Sequence, residues 1–584
     1  MLLLAIGLTT LGMRGAVSCG HDFDFHLNSW MDVARAWREG AWLPAWAPGA
    51  AWLAGEPRFV FYPPLTWAFG ALLGSVFGAT AVGWTLTAWL FVFVALVSSG
   101  LATRRLAEEW LSPETAQLAG LLAILSPYTL FTAFERSALA ELAAAPFVPL
   151  AILCATRACR TSAGTGQGMT YSISRDRSAL MLALTIAGCW LTNAPAAVML
   201  CYMLAGVALV VAASERAWWP VVRASAAVIV GLGLAAFYLV PAALEQRWVN
   251  IRAANDPGMR VDDSWLFARH ADAALAFHDA VLRRASIVFA LMVAATLLAA
   301  LAVARPGGFR HRDRAHWLPL LLLVPVVGLM QFRVSAMVWH ALPKLGFLQF
   351  PWRLTMLLTP VFAIVVAQAL IVLRKGLRTG VMVIAVAAAG YAGFAVFHQA
   401  CDDQDNIAAQ MVQSRREGFP PTDEYAPLGS DNAMLAAGLP SGCLIANPNL
   451  SLGAIDEDGQ LRWTPLTQPC MAIATATELH ADRQTFTVLA PRAGFVLLRL
   501  RRFPAWKIRV NGKPETDLPA REDGLCVLPV RAGSNRIDAR WVATPETLVG
   551  RWISLFSLMA LLAWLFLCAS RGSEQPETPA DGLH

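Results

Sequence analysis

Apolar residues run along this chain in blocks of roughly 18–22, each closed by a short basic cluster, and helices of that length cross the ~30 Å hydrocarbon core of a bilayer. The first blocks fall at about Leu2–Ser18, Val82–Thr103, Pro113–Ala133, Leu139–Ala158, Ala179–Leu191, Ala196–Ala213 and Val222–Pro241. They continue at about Ala285–Ala304, His316–Phe332, Trp352–Leu373, Gly380–His398 and Leu548–Cys568, which predicts about twelve transmembrane helices. Helices are the expected element, because lipid offers no partner to a free backbone N–H or C=O.

One apolar segment, Tyr62 to Phe77, is predicted not to span. A crossing there would export the arginines at 104–105 and between 157 and 177, against the positive-inside rule, so an interfacial or re-entrant helix is expected. Between 399 and 546 the pattern changes to strand-like alternation, as in Phe486-Thr-Val-Leu and Trp506-Lys-Ile-Arg-Val, with Asn511-Gly512 as a hairpin turn. The predicted architecture is a polytopic α-helical membrane domain over 1–398 with an external loop at 19–78. A β-sandwich exported over 399–546, a final helix at 547–570 and a disordered cytoplasmic tail at 571–584 complete it.

Composition agrees with this pattern: 57% of residues are hydrophobic, 15% are charged and the mean hydropathy is +0.51. A soluble globule could not hide so much apolar surface. The net charge of +6 resides in short arginine clusters typical of cytoplasmic loops, with no basic groove beside aromatic residues, so nucleic acid is excluded as a partner. The charge distribution predicts a membrane protein with both termini in the cytoplasm and the β-rich domain outside. Ala16-Val17-Ser18-Cys19 has a faint look of a processing site, but a retained first helix makes the remaining topology consistent. Cys443 and Cys470 lie in the exported stretch, where an oxidising compartment would let them pair, whereas Cys154, Cys159, Cys189, Cys201 and Cys568 lie in or beside membrane helices. No zinc spacing, nucleotide-binding glycine loop or nucleophile elbow is present.

Four polar constellations fall on the external side of this topology. Gly20-His21-Asp22-Phe23-Asp24-Phe25-His26 sets two carboxylates and two imidazoles at the membrane surface, fit for a base or a divalent-cation site, or for a polar loop with helix-capping aspartates. Phe61-Tyr62-Pro63-Pro64-Leu65 opens the interfacial segment, with prolines that preset a helix start. Arg136 and Glu141 in Phe134-Glu-Arg-Ser-Ala-Leu-Ala-Glu141 suit an ion pair at a helix N-terminus. In Leu348-Gln-Phe-Pro-Trp-Arg353, Arg353 fits a lipid-phosphate clamp or a snorkelling arginine beside an interfacial tryptophan.

The order of an acidic cluster after the first helix, a Pro-Pro-Leu interfacial helix and an Arg-Ser-Ala-Leu-Ala-Glu helix start resembles the GT-C superfamily of membrane glycosyltransferases. That superfamily includes protein O-mannosyltransferases and the aminoarabinose transferase of lipid A. His-Asp-Phe-Asp-Phe-His, Phe-Tyr-Pro-Pro-Leu and Gln-Phe-Pro-Trp-Arg are more closely similar to bacterial membrane proteins labelled 6-pyruvoyl-tetrahydropterin synthase related, a label that implies no soluble pterin enzyme here. Phe503-Pro-Ala-Trp-Lys-Ile-Arg-Val-Asn-Gly512 resembles the exported β-domain of YfhO-type proteins.

The resemblance implies a sugar donor on a polyprenyl phosphate and a glycan, lipid or protein acceptor. It implies Asp24, or alternatively Asp22, as the general base or metal-associated carboxylate, with Glu141 as the second acidic position. Arg353 would neutralise the departing lipid phosphate, joined by Arg333 or Lys344, while His26 and Arg136 would contact substrate. The cofactor expectation is none, or a divalent cation held by Asp22 and Asp24. The expected function is transfer of a sugar from the carrier to an acceptor on the external face. The alternative is a non-catalytic scaffold or assembly subunit for envelope polysaccharide. Asp262-Asp263 has no counterpart in the family and receives no role.

Overall fold

The computed structural model describes residues 1–159, 173–303, 314–445, 447–448, 454–456, 459–464 and 471–573. The predicted arginine-rich loops within 160–172 and 304–313, Cys470 and most of the predicted tail lie outside these residues. Among the described residues, eight helices are long and apolar enough to cross a membrane, and two further pairs qualify together but are bent by 78° and 97°. The expected twelve is reached only by adding the shorter apolar helices Leu2–Met13 and Arg177–Thr192.

The first helix is shorter than its apolar run. It stops at Met13, where Arg14 turns left-handed at φ 48 and Gly15 follows at φ 81. The expected Val222–Pro241 helix is two pieces, Trp219–Leu234 and Ala236–Leu244. A break inside a membrane domain must have its backbone groups satisfied by neighbours. Ser554 of the last helix does this: its Oγ donates to the Gly233 carbonyl at 3.0 Å and accepts from the Phe237 N–H at 2.8 Å. Pro64–Phe77 has 14 residues, about 21 Å of helix, too short to cross ~30 Å of hydrocarbon.

Ion pairs gather three connections at one end of the helices: Arg104 with Glu108 at 2.9 Å, Arg157 with Glu109, and Arg378 with Glu114 at 2.6 Å. At the other end the Cys19–Cys401 disulfide ties the chain after the first helix to the segment following helix Lys375–Tyr391. Cys443 is also disulfide-bonded.

The β-rich region departs from the expected two-sheet sandwich. Its eight main strands form one antiparallel sheet with the order Lys513–Glu515, Trp506–Val510, Gly533–Trp541, Arg483–Ala490, Met471–Leu479, Gly442–Ile445, Gly494–Arg501, Leu525–Val530. The sheet folds over itself, so Phe486 and Val488 share a core with Val496, Leu498 and Leu528. The strand Met471–Leu479 bonds to both limbs, which is why no gap opens between two sheets.

The loop after the first helix wedges into this region. Trp46 is fully buried against Phe503, Trp506 and Trp541. Gly55, at φ 74, lies so close that a Cβ there would sit 2.0 Å from the Trp46 indole nitrogen. Helix Phe23–Arg38 holds the loop through Asp32, whose buried carboxylate accepts from the Gly49 N–H at 3.0 Å. Burial pushes the Asp32 pKa up to about 7, with Arg58 and the Gly49 N–H opposing it.

A carboxyl raised on folding contributes stability that is fully present below its unfolded value and is lost as pH rises through the folded one. Thermal unfolding of the purified protein should therefore show a loss of stability between about pH 4 and pH 7 that is reduced in Asp32→Asn, whose amide oxygen still accepts from Gly49. Equal pH slopes in the two proteins would refute this account of Asp32.

Candidate functional site

The polar sites meet because three distant segments are stitched together. The Asp22 N–H donates to the Arg136 carbonyl at 3.0 Å, and the Gly20 N–H to Ser137 Oγ at 3.2 Å. Ser137 Oγ donates to the Ser18 carbonyl at 2.8 Å, and Ser18 Oγ accepts from the Gln399 N–H at 2.9 Å. Contact is so close that a Cβ on Gly20 would lie 2.6 Å from the Glu135 carbonyl oxygen. The 131–135 turn is a π-helix and Ser137 is left-handed at φ 46. Such strained turns persist where surrounding bonds fix them, as these serine bonds do.

Immediately after this turn, Glu141 is buried between two arginines. Arg136 Nη1 donates to Glu141 Oε2 at 2.7 Å, and Arg353 Nε lies 3.4 Å from the same oxygen. Tyr128 donates to Glu141 Oε1 at 2.5 Å. Asp22 stands 3.9 Å from Arg136 Nη2. Arg353 is aimed from behind: its Nη1 donates to the Leu348 carbonyl at 3.0 Å and to Gln349 Oε1 at 3.2 Å, and its guanidinium lies 5.0 Å from the centre of the Phe350 ring. Its Nη2 has no partner among the described residues. A planar cation fixed in this way keeps donors for an incoming anion.

Asp22, Arg136, Glu141 and Arg353 line a cavity of about 940 Å³ together with Asp24, His21, Lys344 and Glu424, with Tyr128 behind its wall. One wall is apolar, with Phe350 stacked on Trp352 at 4.4 Å, beside Phe277, Phe347 and Leu239. Asp24, in the first turn of helix Phe23–Arg38, has a backbone hydrogen bond from Phe25 but no ion pair among the described residues. Burial raises its pKa and Asp22 adds to the shift, with the Phe25 N–H and Arg58 opposing it. A raised carboxylate that water can still reach has the character of a proton acceptor.

Two predicted residues are not part of the cavity. His26 is buried beneath it among Phe25, Trp30 and Tyr62, and burial pushes its pKa down to about 4, so it is a neutral packed ring rather than a substrate contact. Arg333 is exposed and does not line the cavity. Asp22 and Asp24 gain no third ligand: no group of three or more His, Cys, Asp or Glu side chains fit for a metal ion occurs among the described residues. No step is routed through a cation here.

Sequence reasoning missed Tyr128, which lies within a helix expected from apolarity alone, and Glu424 with Tyr425, which reach the cavity from the stretch preceding the strands. The prolines of Tyr62-Pro63-Pro64 were a usable signal for Tyr62, which lines the cavity at the start of the short helix.

Glu141→Gln would leave Arg136 and Arg353 buried without their shared counter-charge. Such losses cost about 3–5 kcal/mol, so the purified variant should unfold at a clearly lower temperature than the wild type. A variant as stable as the wild type would contradict the pairing.

No family model matches the chain, and no curated protein matches it. Among solved structures, it is similar to ArnT from Cupriavidus metallidurans bound to undecaprenyl phosphate, at 14% identity over 71% of this chain and 67% of that one, with a TM-score of 0.39. The arabinofuranosyltransferase AftD from Mycobacteria is 20% identical over 68% of this chain and 27% of its own, with a TM-score of 0.41. The oligosaccharyltransferase AglB from Archaeoglobus fulgidus, in complex with an inhibitory peptide and a dolichol-phosphate, is 14% identical over 69% of this chain and 56% of its own, with a TM-score of 0.36. The chain thus spans about a quarter of AftD and just over half of AglB. By name these neighbours include an arabinofuranosyltransferase and an oligosaccharyltransferase. At such identities and TM-scores no residue role passes from them to this chain. None answers to the narrower 6-pyruvoyl-tetrahydropterin-synthase-related label, which is not carried forward.

Proposed function

We propose that the cavity is the active site of a glycosyltransferase that moves a sugar from a polyprenyl-phosphate carrier to an acceptor hydroxyl on the external face of the membrane. The observation that carries this reading is the cavity's division of labour: fixed guanidinium donors, an unpaired raised carboxylate and an aromatic wall share one space. A lipid phosphate needs the first and the third, and an attacking hydroxyl needs the second.

In this mechanism Asp24 accepts the proton of the acceptor hydroxyl as its oxygen attacks the anomeric carbon. The bond from that carbon to the phosphate oxygen breaks with inversion, and the departing phosphate takes its electron pair toward Arg353, with Arg136 and Lys344 nearby. Glu141 holds both guanidiniums in place and limits their mutual repulsion. Arginine donors placed where charge develops are worth most in a site that excludes bulk water.

The site's end of the molecule is read as external in a bacterial inner membrane, since it carries the Cys19–Cys401 disulfide and the disulfide-bonded Cys443. The paired arginine connections at the opposite end are read as cytoplasmic. With the free native cysteines replaced, a membrane-impermeant maleimide on intact spheroplasts should label a cysteine placed at Lys513 and spare one at Arg105 until the membrane is permeabilised. The reverse labelling would invert the topology and remove the site from the external face.

Asp24→Asn should lower glycan formation by about 10²-fold or more while leaving undecaprenyl-phosphate binding near the wild-type level. Arg353→Ala should weaken that binding by about 1.5–3 kcal/mol, the scale of a hydrogen bond to a charged group. Arg353→Lys should recover only part of the loss, since an ammonium lacks the fork of donors. Wild-type product from both Asp24→Asn and Arg353→Ala at matched protein amounts would leave the scaffold reading in their place.

A further inference from the structure

Glu424 belongs to neither the carrier-facing arginine group nor the strands. It sits in the turn Asp423–Tyr425 and lines the same cavity. The turn is pinned on every side. The Thr422 N–H and hydroxyl donate to the two oxygens of the fully buried Glu56 at 3.0 and 2.9 Å, and the Asn432 side chain donates to Asp423 Oδ1 at 2.6 Å. Beyond it the Ala426 carbonyl accepts from the Asn250 N–H at 2.9 Å, and Tyr425 stacks on Phe61 at 5.7 Å. A turn anchored so firmly holds its cavity-facing carboxylate in one place.

Of the four carboxylates lining the cavity, Glu141 and Asp22 face arginines, whereas Asp24 and Glu424 have no ion pair among the described residues. The cation that both of them feel is Arg58. It lies behind the wall, stacked on Phe25 at 4.3 Å and paired with Glu56 at 2.8 Å. The cavity therefore has an arginine pole suited to an anion and a carboxylate pole that repels one. Burial pushes Glu424 up to about 7, so near neutrality it can both donate to and accept from a hydroxyl.

Resting on the reading of the cavity given above, we propose that Glu424 is a binding residue for a hydroxyl-bearing glycan acceptor and takes no part in holding the carrier phosphate. The region carrying the strands would thus supply one wall of the acceptor site, and an acidic acceptor would be disfavoured there. Carboxylates are effective sugar ligands because each can accept from two hydroxyls at once.

The test uses the full chain in lipid nanodiscs, with undecaprenyl phosphate as the probe, beside a complementation assay for the glycan product. Glu424→Ala should bind undecaprenyl phosphate within about twofold of the wild type and melt at the wild-type temperature, yet lower the product by about tenfold or more. Glu424→Gln, which keeps the shape and a hydrogen-bonding amide, should restore part of the product and guards against a folding defect in the alanine variant. Wild-type product from both variants would overturn the proposal while leaving the carrier reading intact. A loss of undecaprenyl-phosphate binding equal to that of Arg353→Ala would overturn it by assigning Glu424 to the carrier. A wild-type protein that binds no undecaprenyl phosphate would overturn the carrier reading and this proposal with it.

Discussion

Everything around the cavity depends on one buried carboxylate shared by two arginines. Glu141 Oε2 faces both Arg136 and Arg353, and Tyr128 occupies Oε1. Alone, either guanidinium would be expensive to hold beside a membrane domain, and together without Glu141 they would repel. With it, the chain can keep two planar cations at the head of an apolar cavity. That is a costly arrangement for packing alone and a useful one for binding an anion.

The shared carboxylate can serve only if its neighbours in space stay together, because they are far apart in sequence. Asp22 joins Arg136 through a backbone hydrogen bond, Ser18 joins Gln399, and the Cys19–Cys401 disulfide closes the same junction. The loop after the first helix then runs into the β-rich region, where Trp46 is buried, and Glu56 holds Thr422 just before Glu424. One continuous set of contacts therefore leads from the carboxylate next to the first helix to the carboxylate next to the strands.

Much of this was legible in the sequence. Runs of apolar residues place most membrane helices to within a few residues, because lipid leaves few alternatives to a helix of that length. The charge rule leaves Pro64–Phe77 off the list of full spans; the helix has 14 residues, while Leu2–Met13, expected to span, has 12. Asp22 and Asp24, Arg136 and Glu141, and Arg353 come from three separate motifs, and with Lys344 they line one cavity. Hidden from sequence were features that depend on three-dimensional contact. The break at Ala235 needs Ser554 to satisfy it, and the Cys19–Cys401 bond needs two helix ends to meet. His26 shares its motif with Asp24, yet helical periodicity turns it into the protein while Asp24 faces the cavity. The fold-over of a single sheet was equally invisible, since strand alternation looks the same in one curled sheet and in two packed ones.

The central claim is that this cavity holds a lipid-linked phosphate at its arginine pole. A cryo-electron microscopy map of the full chain in nanodiscs with undecaprenyl phosphate tests it directly. The account predicts phosphate density within hydrogen-bonding distance of the Arg353 guanidinium, with the polyprenyl chain leaving along the wall formed by Phe350 and Trp352. Lipid density bound elsewhere, with the Arg353 pole filled only by water, would contradict it.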